Sequence, residues 1–294
     1  MRKILVLRGG ALGDFIVTLP ALDLLRRRWP DARVELVGNA TAAALALKRG
    51  VLDAAHSQHE ARWSALYAVP PLPDALAAWL AAFDLVVSYW PDGDGALRRH
   101  FPVHPRQTFL WADAMPARAP AAAHYCEPLR PLGLEASNFV FPLLPPDQAR
   151  PAAVTPSAPI ALHPGSGSAR KNWPQDRWLE LLAKLPGPLL LILGEAEHGK
   201  WSPLSSGSGA RVRILHQTSL ENLVAELASC RLFLGHDSGV SHLAAACGVP
   251  CVLLFGPTDP AMWAPPAPQV RVLQRGADLA AISVEDVLAA VSCS

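Results

Sequence analysis

Apolar and polar residues alternate along the chain in a pattern that predicts strands followed by helices. The apolar run KILVL at 3–7 ends before a pair of glycines and is typical of a buried strand. Residues 14–28 repeat apolar positions at helical spacing and end in three arginines, which predicts a helix. Because strands and helices take turns, we expect a parallel sheet covered by helices. The further elements predicted in this half are strands at 33–38 and 83–90 and a helix at 74–82.

A proline-rich stretch interrupts this alternation. Residues 141–159 contain six prolines in nineteen positions, far above the average usage of about 5%. We therefore predict a linker at 146–158 between domains at 1–145 and 159–294. Two α/β halves joined in this way predict a ligand cleft at the carboxyl ends of the strands.

The alternation restarts after the linker, which indicates a second domain of the same class. Ser219 is a plausible N-cap of one of its helices. The strands predicted in this half lie at 159–163, 188–194, 231–235 and 251–256, and the helices at 175–185, 219–230, 241–248 and 283–291.

Composition and charge exclude several classes of function. A net charge of +1 over 294 residues gives no general basis for binding nucleic acid. The five cysteines are odd in number and lack C-x-x-C spacing, which argues against a disulfide framework or a zinc site and fits a reducing cytoplasm. No secretory leader is expected, and the longest uncharged apolar run, 244–256, is too short to span a bilayer. We expect a soluble cytoplasmic protein, at most peripheral at the inner face of a membrane.

Three loops carry candidate chemistry, and the first is LRGGALGD at 7–14. Its glycines, Gly13 among them, join a strand to a helix and let backbone N–H groups approach a ligand at the helix N-terminus. Asp14 then stands at the mouth of the predicted cleft. The alternative is that Asp14 only stabilises the N-terminus of its own helix, by roughly 0.3–1 kcal/mol.

The second loop, HPGSGSARK at 163–171, follows a predicted strand. Ser166 supplies a hydroxyl, Gly167 permits close approach, and Lys171 supplies a compact positive charge in a chain with only five lysines among its 26 basic residues. This set suits a diphosphate. The alternative is a flexible surface loop with a solvated Arg-Lys pair.

The third loop is a Gly-His-Asp-Ser-Gly turn after the strand at 231–235, with a helix beginning close behind it. At that N-terminus an anion would meet backbone N–H groups and the positive end of the helix dipole. His242 can donate to a phosphate oxygen, and Asp237 can accept from a ribose or sugar hydroxyl. The alternative is that Asp237 or Ser238 is only an N-cap and His242 a core histidine. The N–H groups in question belong to Ser238, Gly239 and Val240.

Two weaker patterns occur in the first half. Asp92 and Asp94 follow a strand with the spacing by which one large class of sugar transferases holds a divalent metal, although aspartate and glycine are also ordinary turn residues. Basic residues also collect in irregular segments, and we predict that Arg62 and Arg106 face an anionic acceptor there; the alternative is that they are solvated. The collection consists of Arg62, Arg98, Arg99, His100, His104 and Arg106.

Together the three loops resemble glycosyltransferase family 9, the ADP-heptose:lipopolysaccharide heptosyltransferase family. The resemblance runs through ILVLRGGALGDFIVTLPALDLLRRRWPDARVELVGN, FDLVV, IALHPGSGSARKNWPQDRWLELLAKL and GHDSGVSHLAAACGVPCVLLFGPTDP. It implies a GT-B fold, in which two Rossmann-like domains face each other across a cleft, and an inverting sugar transfer that needs no metal or other cofactor. His236 departs from the family, where an asparagine or similar residue is common, and residues 50–130 match poorly and look short.

The resemblance also implies roles for particular residues. Asp14 becomes the catalytic base and Lys171 a ligand of the donor diphosphate. A glutamate, Glu197 or as second choice Glu195, would hold the donor ribose. The donor-binding turn would consist of Asp237, Ser238, Gly239 and His242.

The implied donor is ADP-heptose, and the implied acceptor is a glycolipid or lipopolysaccharide core. Two alternatives stay open. The chain could use another nucleotide sugar and acceptor, or it could bind a nucleotide sugar without turnover.

Overall fold

The computed structural model describes residues 1–68, 71–145, 155–194, 197, 201 and 211–292. It divides into two compact units, Met1–Phe141 and Pro142–Ser294. Most of the linker predicted at 146–158 lies outside the described residues, as does Glu195.

The first unit is a five-stranded parallel sheet in the order β3-β2-β1-β4-β5. β1 lies at its centre, where Ile4 is paired with Val34 on one side and Leu85 on the other. The strands are β1 Lys3–Arg8, β2 Arg33–Gly38, β3 Ala54–Ser57, β4 Leu85–Ser88 and β5 Thr108–Trp111. The helices are α1 Leu12–Arg28, α2 Ala40–Lys48, α3 Asp74–Ala81, α4 Ala96–His100 and α5 Ala121–Cys126, with 3-10 turns at Ala61–Tyr67 and Glu127–Leu132.

The second unit is a six-stranded parallel sheet in the order β11-β10-β9-β6-β7-β8. The strands are β6 Ile160–His163, β7 Leu189–Leu193, β8 Val212–His216, β9 Leu232–His236, β10 Cys251–Phe255 and β11 Val270–Gln274. The helices are α6 Gln175–Lys184, α7 Leu220–Ser229, α8 Gly239–Ala246, α9 Pro260–Trp263 and α10 Val284–Ser292, with 3-10 turns at Ala169–Lys171 and Leu279–Ala281.

Both sheets add strands first to one side of their first strand and then to the other. The reversal falls between β1 and β4 in the first unit and between β6 and β9 in the second. In a parallel α/β sheet this switch point is where the loops diverge and ligands bind. The α/β class and the two Rossmann-like sheets predicted from the sequence are thereby confirmed.

Helix α6 shows how apolar residues at helical spacing share one face. In α6, Trp178, Leu181 and Leu182 are buried at i, i+3 and i+4, so the helix packs one stripe onto the sheet. Ser219 caps α7 as predicted, its side chain accepting from the N–H of Asn222. α8 begins at Gly239, two residues before the prediction, because Ser238 caps it through the N–H of Ser241.

Two further expectations from the sequence concern membrane-spanning helices and disulfides. Among the described residues, no helix combines the length and apolarity needed to cross a membrane. The described cysteines are buried and form no disulfide with one another: Cys126, Cys230, Cys247 and Cys251.

Candidate active site

Lys171 and Asp237 meet at the switch point of the second unit. Lys171 ends the 3-10 turn that follows β6, and Asp237 directly follows β9, the strand hydrogen-bonded to β6. The Nζ of Lys171 lies 3.0 Å from Oδ2 of Asp237. The lysine side chain is 26% exposed and the aspartate side chain 10%, so the ammonium is the more accessible of the two charges. Two residues that the sequence assigned to one donor site are therefore in contact.

His236, the last residue of β9, connects the same two loops. Its Nε2 accepts a hydrogen bond of 2.9 Å from the backbone N–H of Trp173, and its ring has no exposed surface. Burial, together with the neighbouring His163, lowers the pKa of His236 to about 3. The ring is consequently neutral at physiological pH and able to accept that hydrogen bond.

Glu197 lies beside Gly165 and Gly194, which follow β6 and β7. Its Oε2 accepts from the backbone N–H of Gly194 at 3.0 Å. The carboxylate fits because residue 165 is glycine: a Cβ there would lie only 2.3 Å from the carboxyl group of Glu197. His163, the last residue of β6, is also buried, and burial lowers its pKa. The structure thus places Glu197, the first choice from the sequence, beside the loop that carries Lys171.

The N-terminus of α8 is built by Ser238. Its hydroxyl lies 3.4 Å from the N–H of Ser241 and 3.1 Å from the Oγ of Ser241, so it is engaged in capping the helix. Ser238 therefore does cap the helix, as the alternative interpretation of the sequence expected. Gly239 and Val240 form the first turn of the helix, and His242 is buried one turn in.

The glycine-serine loop is closed on itself. The Oγ of Ser166 lies 2.7 Å from the carbonyl oxygen of Ser168 and 2.6 Å from Oδ1 of Asn172. The hydroxyl expected to face a phosphate is thus used inside the loop. At Gly167, by contrast, a Cβ would meet nothing within 4 Å, so the backbone there borders open space.

Asp14 lies at the N-terminus of α1 in the first unit. Its Oδ2 accepts from the N–H of Ala11 at 2.9 Å, which is the helix-stabilising contact that its alternative role requires. Its other oxygen, Oδ1, accepts from Nη2 of Arg8 at 3.0 Å. Gly10 has φ +118°, and a Cβ there would lie 2.5 Å from the Asp14 carboxylate. Gly13 is the second residue of the same helix.

Arg8 is the site residue that the sequence reasoning missed. It is the last residue of β1, and its guanidinium is almost fully buried. Besides Asp14, it donates to Oγ1 of Thr18 at 3.2 Å and to the hydroxyl of Tyr125 at 2.9 Å, and it lies 4.4 Å from the centre of the tyrosine ring. The signal in the sequence was a charged residue that directly follows the apolar residues of a strand and precedes a glycine loop.

The two arginines predicted to face an acceptor differ in their surroundings. Arg62 is held in place: Glu60 pairs with its Nε at 2.9 Å, and its guanidinium lies over the rings of Trp63 and Trp79. Arg106 is exposed, and its guanidinium has no hydrogen-bond or ion-pair partner among the described residues. The two are not brought into contact with each other.

Asp92 and Asp94 act as turn residues. Asp92 is buried; Oδ1 accepts from the N–H of Leu97, and Oδ2 lies 2.7 Å from Nε of Arg98. Asp94 accepts from the N–H of Ala96. Both oxygens of Asp92 are thus engaged within its own turn and the helix that follows it. Among the described residues, moreover, no group of three His, Cys, Asp or Glu side chains is placed to hold a metal ion.

Comparison with known proteins identifies the family. The model of glycosyltransferase family 9 (heptosyltransferase) matches residues 131–286, more than half of the chain, which confirms the resemblance inferred from the sequence. Lipopolysaccharide heptosyltransferase 1 of Escherichia coli K12 is 34% identical over 95 residues, which is 31% of this chain and 30% of that protein. The alignment thus spans less than a third of the length of this curated relative.

Solved structures extend the likeness of fold to nearly the whole chain. The glycosyl transferase family 9 from Veillonella parvula DSM 2008 gives a TM-score of 0.77 at 20% identity, over 99% of this chain and 96% of that one. E. coli heptosyltransferase WaaC with ADP gives 0.73 at 20% identity, over 99% of both chains. At such low identity this similarity shows the fold alone, and the fold is GT-B.

Proposed function

The chain belongs to glycosyltransferase family 9, and from that membership we propose that it is an inverting, metal-independent glycosyltransferase. The first-choice donor is ADP-heptose, and the first-choice acceptor is a hydroxyl of a lipopolysaccharide core. The observation that carries the proposal is the contact between Lys171 and Asp237 at the switch point of the second unit. A lysine so placed is a ready counter-ion for a diphosphate.

When the donor binds, its diphosphate replaces Asp237 as the ion-pair partner of the Lys171 ammonium. The backbone N–H groups at the start of α8 add the positive end of a helix dipole. Asp237, released from the lysine, becomes an acceptor for a sugar hydroxyl, and Glu197 accepts from the ribose. E. coli heptosyltransferase WaaC has been solved with ADP, which supports an adenine nucleotide as the donor to test first.

The transfer itself is a displacement at the anomeric carbon. The acceptor oxygen forms the new bond as the bond to the nucleoside diphosphate breaks, and the acceptor proton passes to Asp14. A carboxylate is a weak base, so it takes the proton only as the new bond forms, a contribution of about 10²–10⁴-fold. The negative charge that develops on the leaving group is stabilised by Lys171, and one preorganised donor of this kind is worth about 10²–10³-fold.

Replacing Lys171 with alanine should weaken ADP binding by about 10- to 150-fold, which corresponds to 1.5–3 kcal/mol. The variant loses the cation and also leaves the Asp237 carboxylate to repel the diphosphate. Lys171→Arg should recover part of the loss, because a planar guanidinium cannot place its charge as compactly. Titration calorimetry measures the three affinities.

The neighbouring Arg170 supplies the control. It is exposed and carries the same charge one residue earlier, so Arg170→Ala should bind ADP as the wild type does. Unchanged affinity in Lys171→Ala would mean that this loop does not hold the diphosphate.

On the acceptor side, we propose that an anionic group of the acceptor faces Arg62 and Arg106 in the first unit. Arg106→Glu should raise the acceptor KM by about threefold to tenfold, and the effect should shrink as salt is raised from about 50 mM to about 500 mM. Arg118→Glu reverses an exposed charge elsewhere in the same unit, beside Glu127, and should leave KM unchanged. Equal acceptor KM values in all three proteins would make Arg106 an ordinary surface residue.

The decisive experiment for the proposed function is a transfer assay with a panel of nucleotide sugars and core acceptors, with and without EDTA. Heptose transfer from ADP-heptose that survives the chelator is the expected result. Transfer from another nucleotide sugar would show that the chain is a glycosyltransferase with a different donor. Binding without transfer would show that it is a nucleotide-sugar-binding protein. Activity lost in EDTA and restored by Mg²⁺ or Mn²⁺ would overturn metal independence.

A further inference from the structure

Hydrogen bonds hold the segment that carries Lys171 at both of its ends. The N–H of Lys171 donates to the carbonyl of Ser168, and that of Asn172 to the carbonyl of Ala169, which closes the 3-10 turn. The indole N–H of Trp173 then donates to the carbonyl oxygen of Ile282 at 3.0 Å and fixes the end of the segment to the body of the second unit. Trp173 is only two residues from Lys171, so the position of its backbone limits where Lys171 can lie.

The Trp173 backbone is tied on its other side to β9. Its N–H donates to Nε2 of His236 at 2.9 Å, inside the protein. His236 is the residue immediately before Asp237, so one hydrogen bond connects the segment of Lys171 to the strand end that presents its partner carboxylate. The imidazole is itself held edge-on by Trp178, with ring centres 5.4 Å apart.

We propose that His236 is a positioning residue, which sets the place of Lys171 against Asp237 through the N–H of Trp173. The consequence for ligand binding rests on the proposed function, since it matters only if Lys171 holds a diphosphate. The positional claim itself concerns only the two loops.

Two kinds of substitution at His236 separate the effect of losing the hydrogen bond from the effect of losing the volume of the ring. His236→Gln can place an amide oxygen where Nε2 lies and keeps an acceptor for the Trp173 N–H. His236→Leu and His236→Ala remove the acceptor, the first with nearly the same bulk and the second with less. We expect ADP affinity close to that of the wild type in the glutamine variant and about tenfold weaker in the two apolar variants, the lower end of the range for a charge-assisted hydrogen bond.

A double-variant test shows whether the effect passes through the lysine. In a Lys171→Ala background, His236→Leu should weaken ADP binding by less than about twofold more, because there is no ammonium left to misplace. An undiminished tenfold effect in that background would show that His236 acts elsewhere and would overturn the proposal.

A second readout does not depend on any nucleotide. The chain has five lysines, Lys3, Lys48, Lys171, Lys184 and Lys200, so the ε-methylene resonances of a lysine-labelled sample can be assigned, that of Lys171 by its loss in Lys171→Ala. His236→Leu should move this resonance toward that of a solvated lysine, and His236→Gln should leave it in place. Wild-type protein that binds no ADP would contradict the proposed function, while the resonance would still decide the positional claim.

Thermal melting of each variant separates positioning from folding. We expect the glutamine variant and at least one apolar variant to fold. If both apolar variants failed to fold beside a folded glutamine variant, the hydrogen bond would be an element of stability, and the proposal would be wrong. An unmoved Lys171 resonance in a folded leucine variant would overturn it equally.

Discussion

Asp14→Asn is expected to bind ADP like the wild type and to transfer sugar about 10²–10⁴-fold more slowly. The substitution keeps the shape of the side chain and removes the atom that would take the acceptor proton. Its oxygen can still accept from Arg8 or from the N–H of Ala11, but an amide has one oxygen for the two donors that the carboxylate now serves. A loss of about 0.5–1.5 kcal/mol in the free energy of unfolding is therefore expected as well.

A matched control isolates the chemistry from the loss of a helix carboxylate. Asp74 stands in the first turn of α3, so Asp74→Asn removes the same charge from the same kind of position. It should lower stability slightly and leave transfer unchanged. Initial rates at a temperature where both variants are folded give the comparison, and turnover above about a tenth of wild type in Asp14→Asn would show that Asp14 is not the base.

The positions of strands could be predicted from the sequence where a strand is buried on both faces. β6, β7, β9 and β10 are wholly buried and appear in the sequence as unbroken apolar runs that end at a glycine or, in β6, at a histidine. β8 and β11 lie at the two edges of the same sheet, and half-exposed positions alternate with Arg213 and Arg271. Their apolar runs are interrupted for that reason, and neither strand was predicted.

The sequence allowed the loops of the candidate site to be predicted, but not which of their residues contact one another. Lys171 and Asp237 each follow a strand in the sequence, yet they are 66 positions apart. Their contact depends on β6 and β9 being neighbours, which is a property of the strand order and not of either loop. Ser166 shows the converse: its residue type suited a phosphate, but its hydroxyl is engaged by Ser168 and Asn172 within the loop.

The sequence carries a signal for Arg8 but not for its contacts, because one of its partners comes from another part of the unit. Tyr125 lies 117 positions away on α5 and reaches Arg8 with its hydroxyl, which also donates to the carbonyl oxygen of Ala114. Burial raises the pKa of this tyrosine, so the hydroxyl stays protonated and neutral beside the guanidinium. An arginine between a tyrosine and a carboxylate is well suited to fix the carboxylate, because its planar fork presents several donors at once.

Arg8→Met should therefore lower transfer by about 10–100-fold, since a catalytic group displaced by about 1 Å can cost 10²-fold. ADP affinity should stay unchanged, because the contacts of Arg8 described above all lie in the first unit. Arg8→Lys keeps the positive charge but cannot reach Asp14, Thr18 and Tyr125 together, so its rate should fall between those of the wild type and Arg8→Met. Stability should fall by about 1–3 kcal/mol in the methionine variant, because Thr18 and Tyr125 lose a buried donor.

The outcome that distinguishes positioning from mere stability is the behaviour of the double variant. If Arg8 acts on transfer through Asp14, Arg8→Met should slow the residual activity of Asp14→Asn by less than about twofold. A full additional 10–100-fold loss would mean that Arg8 contributes independently of the carboxylate. Wild-type turnover in Arg8→Met, measured below its melting temperature, would mean that the buried guanidinium supports the fold of the first unit and not the placement of Asp14.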